Sequence, residues 1–457
     1  MRSVYLSSWR QARRRSGRVP DRVSRLVSSR ALTLTLGLVA ILFGQADGAM
    51  AAQSVAHKAL PSEASIPVPF SQPTLSLQEA EQLAVQNDQG LAAAQASESA
   101  EASAAKAADQ LPDPDIYVGL SSLPLDTFSF TQTPMTTTEF RISQTLPPGD
   151  TLAQRALAAD AEVLAATANV AVQQQILRRE VGRFWLTVYR DRQTVALLQQ
   201  EKTLYRRLLR SAQTAYSAGR ARATDLVRLQ VRLAELDDRI DRQQGSMAAM
   251  QARLARWIGD RAQQDWPSTL PAELTQLPNG SIETQPEIKV LQAKLAEARA
   301  QTGEARAAFK PKFGVSLGYG LKAGNQPDTL SVGVTMSLPI FTGERQAPLL
   351  AAAQKREQAR QLALDNRAAD FQAEAQSLIA DIRSLDTRIE RYDRHILPKL
   401  RQVATLAQSQ FGSGGGDFTA IIDAEQAEIA GRQQQLDLTI DRASRLIDLR
   451  YILENPA

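Results

Sequence analysis

The sequence predicts a mainly α-helical protein in which two membrane β-hairpins separate very long helices. Three observations indicate this fold. Two stretches of 65 residues, 151–215 and 346–410, contain very little glycine or proline. Each stretch follows two short segments in which apolar residues alternate with small polar ones. Aromatic residues make up only 5% of the chain while alanine is abundant, which favours helices packed closely side by side over a thick globular core.

Residues 1–51 are predicted to be a signal peptide. Nine arginines precede the apolar run 31–43, and Ala49-Met50-Ala51 supplies the pattern after which a signal peptidase cuts. A membrane anchor is the alternative, but 13 residues are short for a spanning helix. The leader carries a net charge of +7, so the remainder of a chain with +4 overall is mildly acidic. This charge balance argues against a nucleic-acid partner.

The part of the chain after the leader contains an internal two-fold repeat. Residues 52–74 hold four prolines in a small polar stretch and are predicted to be a flexible lead-in. One plan then occurs twice, in residues 75–280 and 281–457. Pro114 corresponds to Pro311, and the order of the later matches is preserved although their offset drifts from 197 to 192 and then to 195. Such order over a long period is the sequence signature of a duplicated unit.

Each half is predicted to contain a first helix, a hairpin, a long helix and a returning helix. The first helices run from Ser76, which has a capping-box spacing with Glu79, to about Gln110, and from about Pro286 to Ala308. The remaining elements are hairpins 115–145 and 312–339, long helices 151–215 and 346–410, and returning helices 224–258 and 418–453. A long helix would measure roughly 100 Å at ~1.5 Å per residue, so it must pack against like partners.

The predicted strands have one apolar face and one small polar face. Phe313, Val315 and Leu317, for example, alternate with glycine and serine, as a strand between lipid and a watery lumen requires. A soluble sheet with one face on a core has the same period, but the sequence offers no further strands to build that core. Four strands leave two free edges, which a membrane does not tolerate.

The sheet is therefore predicted to close on other copies of the chain. A dimer would supply eight strands and a pore filled by side chains, whereas a trimer would supply twelve strands and an open pore. Conduction through helices of roughly 100 Å favours the homotrimer, in which a transmembrane β-barrel is continued by an α-helical barrel.

Three segments resemble motifs of the TolC outer-membrane factor family. Residues 216–226 (YSAGRARATDL) and 411–424 (FGSGGGDFTAIIDA) are similar to the two periplasmic tip motifs, and residues 338–345 (LPIFTGER) are similar to a strand-to-helix junction of the family. The resemblance covers about residues 75–455. Pro112-Asp113-Pro114 and Gln285-Pro286-Glu287 are most similar to the heavy-metal branch, which handles cobalt, zinc, cadmium or copper.

The resemblance implies a function. It implies an outer-membrane location with a periplasmic extension, and a passive exit duct for substrates such as heavy-metal cations. It also implies two partners, a periplasmic adaptor (membrane fusion) protein and an inner-membrane pump of the RND type. Type I protein secretion and drug efflux use the same architecture. A soluble periplasmic coiled-coil adaptor is an alternative of another class, which the alternating strands disfavour.

The candidate site residues lie at the predicted helix tips. The resemblance implies that an adaptor docks at Ala218, Gly219, Arg220, Ser413, Gly414 and Gly415. The resemblance also places Thr224, Asp225 and Asp423 near the entrance gate, where three copies of an acid around a narrow axis would favour cations. Capping is the preferred explanation for Asp225, since acids in the first turn of a helix offset its dipole and Thr224 could serve as the cap.

No catalytic, cofactor or metal site is predicted. His57 and His395 are the two histidines, and neither has a second histidine or a cysteine at the spacing of metal ligands. The chain contains neither a phosphate-binding glycine loop nor a set of nucleophile, histidine and acid. A passive duct requires none of these groups, because tight binding would impede exit.

Overall fold

The computed structural model describes residues 74–413, 415 and 418–454. The signal peptide, all but the last residue of the lead-in, and Gly414 lie outside the described residues. The first half comprises α1 (Leu77–Asn87), α2 (Gln89–Ala105), β1 (Asp115–Ser121), β2 (Thr137–Leu146), α3 (Thr151–Ser217) and α4 (Ala223–Ile258). The second half comprises α5 (Pro286–Ala307), β3 (Lys312–Lys322), β4 (Thr329–Ser337), α6 (Gln346–Arg391), α7 (Leu397–Gly412) and α8 (Phe418–Leu453).

The first helix of the first half differs from its prediction. Ser76 caps α1 as expected, because its Oγ accepts a hydrogen bond from the Glu79 N–H at 3.1 Å. The chain then breaks at Asp88, whose backbone is extended, and the helical run ends at Ala105. The Asp88 carboxylate caps α2 through Leu91 N at 2.8 Å and accepts the Trp257 Nε1–H at 2.9 Å. The prediction of one unbroken helix from Ser76 to Gln110 is therefore wrong.

The second long helix is also interrupted. Between α6 and α7 the chain makes one wide turn over Tyr392–Ile396, in which Leu397 N–H donates to the Tyr392 carbonyl five residues earlier. Pro398 lies two residues beyond the turn, and its ring and missing N–H are incompatible with a regular helical bond at that point. The extra residue of a π turn accommodates this defect, so the predicted single helix 346–410 is two segments.

Helix α3 lies between both halves of the described chain and packs along α4, α5 and α8. Its middle contributes Trp185, Leu186 and Tyr189 to a buried cluster that also contains Trp257 and Trp266. The Trp185 ring lies 5.6 Å from Tyr189 and 5.2 Å from Trp266, centroid to centroid. This compact aromatic core, which includes the turn-rich segment between α4 and α5, was not predicted from the sequence.

The four strands form one antiparallel sheet in the order β1-β2-β3-β4. The register places Val118 opposite Phe140, Phe140 opposite Tyr319, and Tyr319 opposite Leu330. Side chains alternate along a strand and paired residues share a face, so this register joins the apolar residues of all four strands on one face. Glycine, serine and threonine dominate the opposite face. In the described chain β1 and β4 each have a single neighbouring strand.

Candidate functional site

The first tip is the reversal from α3 to α4. Gly219 has φ +70, a conformation that costs residues with a Cβ about 1–2 kcal/mol. Two short bonds close the turn: Arg220 N–H donates to the Ala215 carbonyl at 2.8 Å, and Gly219 N–H donates to the Tyr216 carbonyl at 2.9 Å. This is the glycine-based helix end that satisfies otherwise unpaired carbonyls. The predicted docking residues Ala218, Gly219 and Arg220 are all exposed.

The second tip is the reversal from α7 to α8. Ser413 and Gly415 are exposed. The amide of Gly415 and the hydroxyl of Ser413 donate to the Gln410 carbonyl at 3.1 and 3.0 Å. Before and after the turn, the Phe411 and Phe418 rings meet edge to face with centroids 5.3 Å apart. This aromatic contact holds the ends of the two helices together.

Both tips lie at the same end of the molecule. Phe418 and Ile421 of α8 belong to one buried cluster with Leu208, Ala212 and Leu229 of the α3–α4 hairpin. The two helical hairpins therefore stand side by side where the chain reverses. The described docking candidates of the two halves are thus neighbours, although two hundred residues separate them in sequence.

The gate candidates differ in their surroundings. The side chain of Asp225 is buried, and its carboxylate accepts the Arg222 N–H at 3.1 Å, so it caps the start of α4. Thr224 is exposed inside the first turn, because α4 begins at Ala223 after Arg222 in the cap position. The suggestion that Thr224 itself is the cap is therefore wrong. Asp423 is exposed on α8, and its place in an entrance gate stays a prediction.

A seam of buried acids, which was missed from the sequence, lies between α3 and α8 above the tips. Glu201, Glu425 and Glu428 are each more than nine-tenths buried. Glu425 accepts a bond from Gln408 at 2.5 Å, and Glu428 from Arg432 and Arg401. Burial raises the pKa of Glu201 and of Glu425. Nothing in a helical sequence marks these acids, since glutamate is also the usual residue of a solvated face.

The described part of the chain contains no group of three or more histidine, cysteine or acidic side chains placed to hold a metal ion. His395 is exposed on the π turn. No helix among the described residues combines the length and apolar character that crossing a bilayer requires.

Comparison with known proteins shows what the chain is similar to. Residues 277–454 match the model of the outer membrane efflux protein family. This match covers the second half of the chain, from just before α5 to the end of α8. Outer membrane protein OprJ of Pseudomonas aeruginosa is 24% identical over 185 residues, which are 38% of this chain and 37% of OprJ. Cation efflux system protein CusC of Escherichia coli is 24% identical over 224 residues, or 46% of this chain and 48% of CusC. The matches span less than half of the length of these curated relatives.

Solved structures extend the similarity to most of the described chain. A crystal structure of CusC has a TM-score of 0.69 at 18% identity and covers 85% of this chain and 94% of that one. VceC of Vibrio cholerae has a TM-score of 0.69 at 17% identity, with 83% of this chain and 96% of VceC covered. At such identity the likeness establishes the fold alone. The fold is mostly helical with one four-stranded antiparallel sheet. It is the fold of TolC-like outer-membrane channels.

These findings confirm the resemblance to the TolC outer-membrane factor family and the outer-membrane location that it implied. Proteins of this family are channels and not enzymes.

Proposed function

We propose that this efflux protein is the outer-membrane channel of a tripartite efflux system and acts as a homotrimeric, passive exit duct. The observation that carries the proposal is the register of the sheet. It places Ile116, Val118 and Leu120 of β1 on the same face as Val332 and Val334 of β4. All five are exposed, with 42–77% of their surface open in the single chain. An apolar face of this extent is suited to lipid and not to water.

The free edges of the sheet give the reason for three copies. Unpaired strand edges cannot stand in a bilayer, because no water is available to satisfy their N–H and C=O groups. Pairing β4 of one chain with β1 of the next removes all edges once the ring closes. Three chains give twelve strands, which leave an open lumen lined by the polar face.

The helical part supports a periplasmic extension. Helix α3 has 67 residues and would measure roughly 100 Å at ~1.5 Å per residue. The paired tips formed by Gly219 and Ser413 lie at the ends of the helical hairpins, where a periplasmic adaptor would dock. The proposal places an inner-membrane pump of the RND type beyond that adaptor. Asp423 would face the narrow entrance in three copies and favour cations there.

Heavy-metal cations are the proposed substrates. One of the similar curated proteins is named as a cation efflux system protein, and residues around Pro114 and Pro286 resemble the metal branch of the family. Drug efflux and type I protein secretion are the alternatives within the same architecture. Growth of a deletion strain across a panel of metal ions and lipophilic drugs separates them. Sensitivity of the deletion strain confined to Zn²⁺, Co²⁺, Cd²⁺ or Cu ions, and reversed when the gene is restored, supports the metal assignment. Sensitivity to drugs alone removes it.

The channel itself is tested by the two faces of β4. The chain has no cysteine, so a single cysteine can be introduced without background labelling. In outer-membrane vesicles, a hydrophilic thiol reagent should label Thr335→Cys on the polar face and leave its neighbour Val334→Cys unlabelled in the lipid. Equal labelling of both positions would show that the sheet does not separate lipid from a watery lumen, and the soluble adaptor would then be favoured.

A further inference from the structure

Away from the strand ends, where Asp115, Lys312 and Lys322 lie, the polar face of the sheet carries large side chains at one place only. Neighbouring residues on this face are Gly, Ser or Thr over most of β3 and β4, including Gly314, Ser316, Gly318, Ser331 and Gly333. In the middle of the strands, the larger side chains of this face are on β1 and β2. They form a cluster that consists of Tyr117, Glu139 and Arg141, and we call it the collar.

The collar is held together by its own contacts. Arg141 Nε donates to Glu139 Oε1 at 2.9 Å, and a second guanidinium nitrogen bonds the same oxygen. The Arg141 guanidinium also lies over the Tyr117 ring, 5.6 Å from its centroid. The register makes Tyr117 the direct partner of Arg141 across the β1–β2 pair. The positive charge of Arg141 is therefore fixed between an aromatic face and a carboxylate.

Glycines on the flanking strands provide the space in which the collar lies. Glu139 pairs with Gly119 on one side and Gly320 on the other, and Arg141 pairs with Gly318. A Cβ built on Gly119 would overlap the Tyr117 ring, and one on Gly318 would lie 3.3 Å from Glu139 Oε1. Glycine in a strand interior weakens the strand but permits such a close approach. The surrounding face is thus shaped around these three side chains.

We infer that Tyr117, Glu139 and Arg141 form a charge-compensated collar in the barrel lumen, which sets the electrostatic potential that solutes meet inside the barrel. The inference rests on the proposed trimeric barrel. Three copies place three Glu139–Arg141 pairs at one height of the lumen, among glycine, serine and threonine. Each carboxylate is balanced by its guanidinium, so the ring neither traps cations nor repels them. A duct that passes charged substrates outward requires such a balance, since binding must be weak enough for release.

The test measures the local electrostatic potential through the reactivity of an introduced cysteine. Ser331 lies on the polar face in the same row as Gly318 and Arg141. Ser331→Cys is made in the otherwise cysteine-free chain, and its reaction rates with a cationic and an anionic methanethiosulfonate reagent are measured in vesicles. The ratio of the two rates reports the sign of the nearby charge. It is independent of accessibility and of the thiol pKa, because both affect the two reagents equally.

With the intact collar, the ratio should equal that of the same reagents with a small free thiol. Arg141→Gln leaves the carboxylates unbalanced and should raise the ratio of cationic to anionic rate about threefold or more, whereas Glu139→Gln should lower it by a similar factor. The double variant should restore the original ratio. A collar with a purely structural role would leave the ratio unchanged in all three variants, and that result overturns the inference.

A matched control lies on the same strand and face. Ser337→Cys is six residues from Ser331, or about 20 Å, which exceeds the ~8 Å Debye length at physiological salt. Its rate ratio should not respond to either collar variant. Failure of the barrel itself gives a different result, because Ser331→Cys would then react no faster than the lipid-facing Val332→Cys. If Ser331→Cys reacts readily but its ratio never moves, the barrel stands and the collar does not set the potential.

Discussion

At the scale of single residues, Gly219 determines how α3 reverses into α4. Its φ of +70 suits glycine, and nothing lies within 4 Å of a Cβ built there, so backbone strain is the cost of a side chain. Gly219→Ala should destabilise the tip by about 1 kcal/mol. Hydrogen exchange of peptides that cover the tip should then be about fivefold faster.

Gly245 is the matched control for this prediction. It lies in the middle of α4, also with nothing within 4 Å of a built Cβ, but with an ordinary helical φ. Gly245→Ala should therefore stabilise α4 by up to about 1 kcal/mol. If both alanine variants shift protection in the same direction, the positive φ of Gly219 does not explain its role at the tip.

Glu81 of α1 makes the stability of the protein depend on pH. Burial raises its pKa from 4.5 to about 7, against the opposing effect of Arg450 and Arg178. A carboxyl with a raised pKa binds more protons when folded, so its contribution is fully present below pH ~4.5 and is lost as the pH rises to about 7. Glu81→Gln should remove this loss and stabilise the protein above pH 7 by on the order of 3 kcal/mol per chain.

The measurement is thermal unfolding of both proteins in detergent from pH 4.5 to 8. The two melting temperatures should coincide at the acidic end and diverge as the pH rises, with Glu81→Gln the more stable. A constant difference across this range would mean that Glu81 does not titrate there.

The sequence predicts the glycine turn at Gly219 because a helix reversal needs a residue with positive φ at that place. It cannot predict the surroundings of an acid. Asp225 and Asp423 both lie in the first two turns of their returning helices, yet the first is buried as a cap and the second is exposed. The buried Glu201 illustrates the same difficulty, since its burial depends on the helices packed against α3, among them α4, whose Arg239 lies 4.0 Å from its carboxylate.

At the scale of elements, α7 and α8 are in close contact at Gly431. A Cβ built there would lie 2.7 Å from Leu400 Cδ1 and 3.0 Å from Leu397 Cδ2. Gly431→Leu should overpack this contact and destabilise the protein by about 1–3 kcal/mol. Gly245→Leu gains the same helix propensity in open space and should be neutral or stabilising. The unfolding temperature of Gly431→Leu should fall, whereas that of Gly245→Leu should stay the same or rise. Equal shifts would show that the helices can separate at Gly431 without cost.

The long helices and the hairpins follow from local periodicity, which is why the sequence predicts them. The interruptions have distant or subtle causes. The break at Asp88 is stabilised by Trp257, which lies 169 residues away in sequence. The π turn before Pro398 could not be predicted, because a proline in a sequence can mark either the end of a helix or a shift of its register. Prediction of the aromatic core around Trp185 would require knowing which helices pack against each other.

At the scale of the whole molecule, the single chain is incomplete. Its sheet exposes an apolar face and ends in β1 and β4, each with one neighbouring strand in the described chain. Alternation along the strands predicts the two faces from sequence alone. The alignment of these faces across four strands depends on the register between β2 and β3, which are more than 160 residues apart, and only the structure provides it.

The central claim is that three chains close one barrel, and the mass of the purified protein in a mild detergent tests it most directly. Native mass spectrometry should give three mature chains. A pair of cysteines placed on β1 and β4 should in addition cross-link between chains and never within one. A mass of one chain, with no cross-link between chains, would contradict the account, because an open four-stranded sheet cannot stand in a membrane.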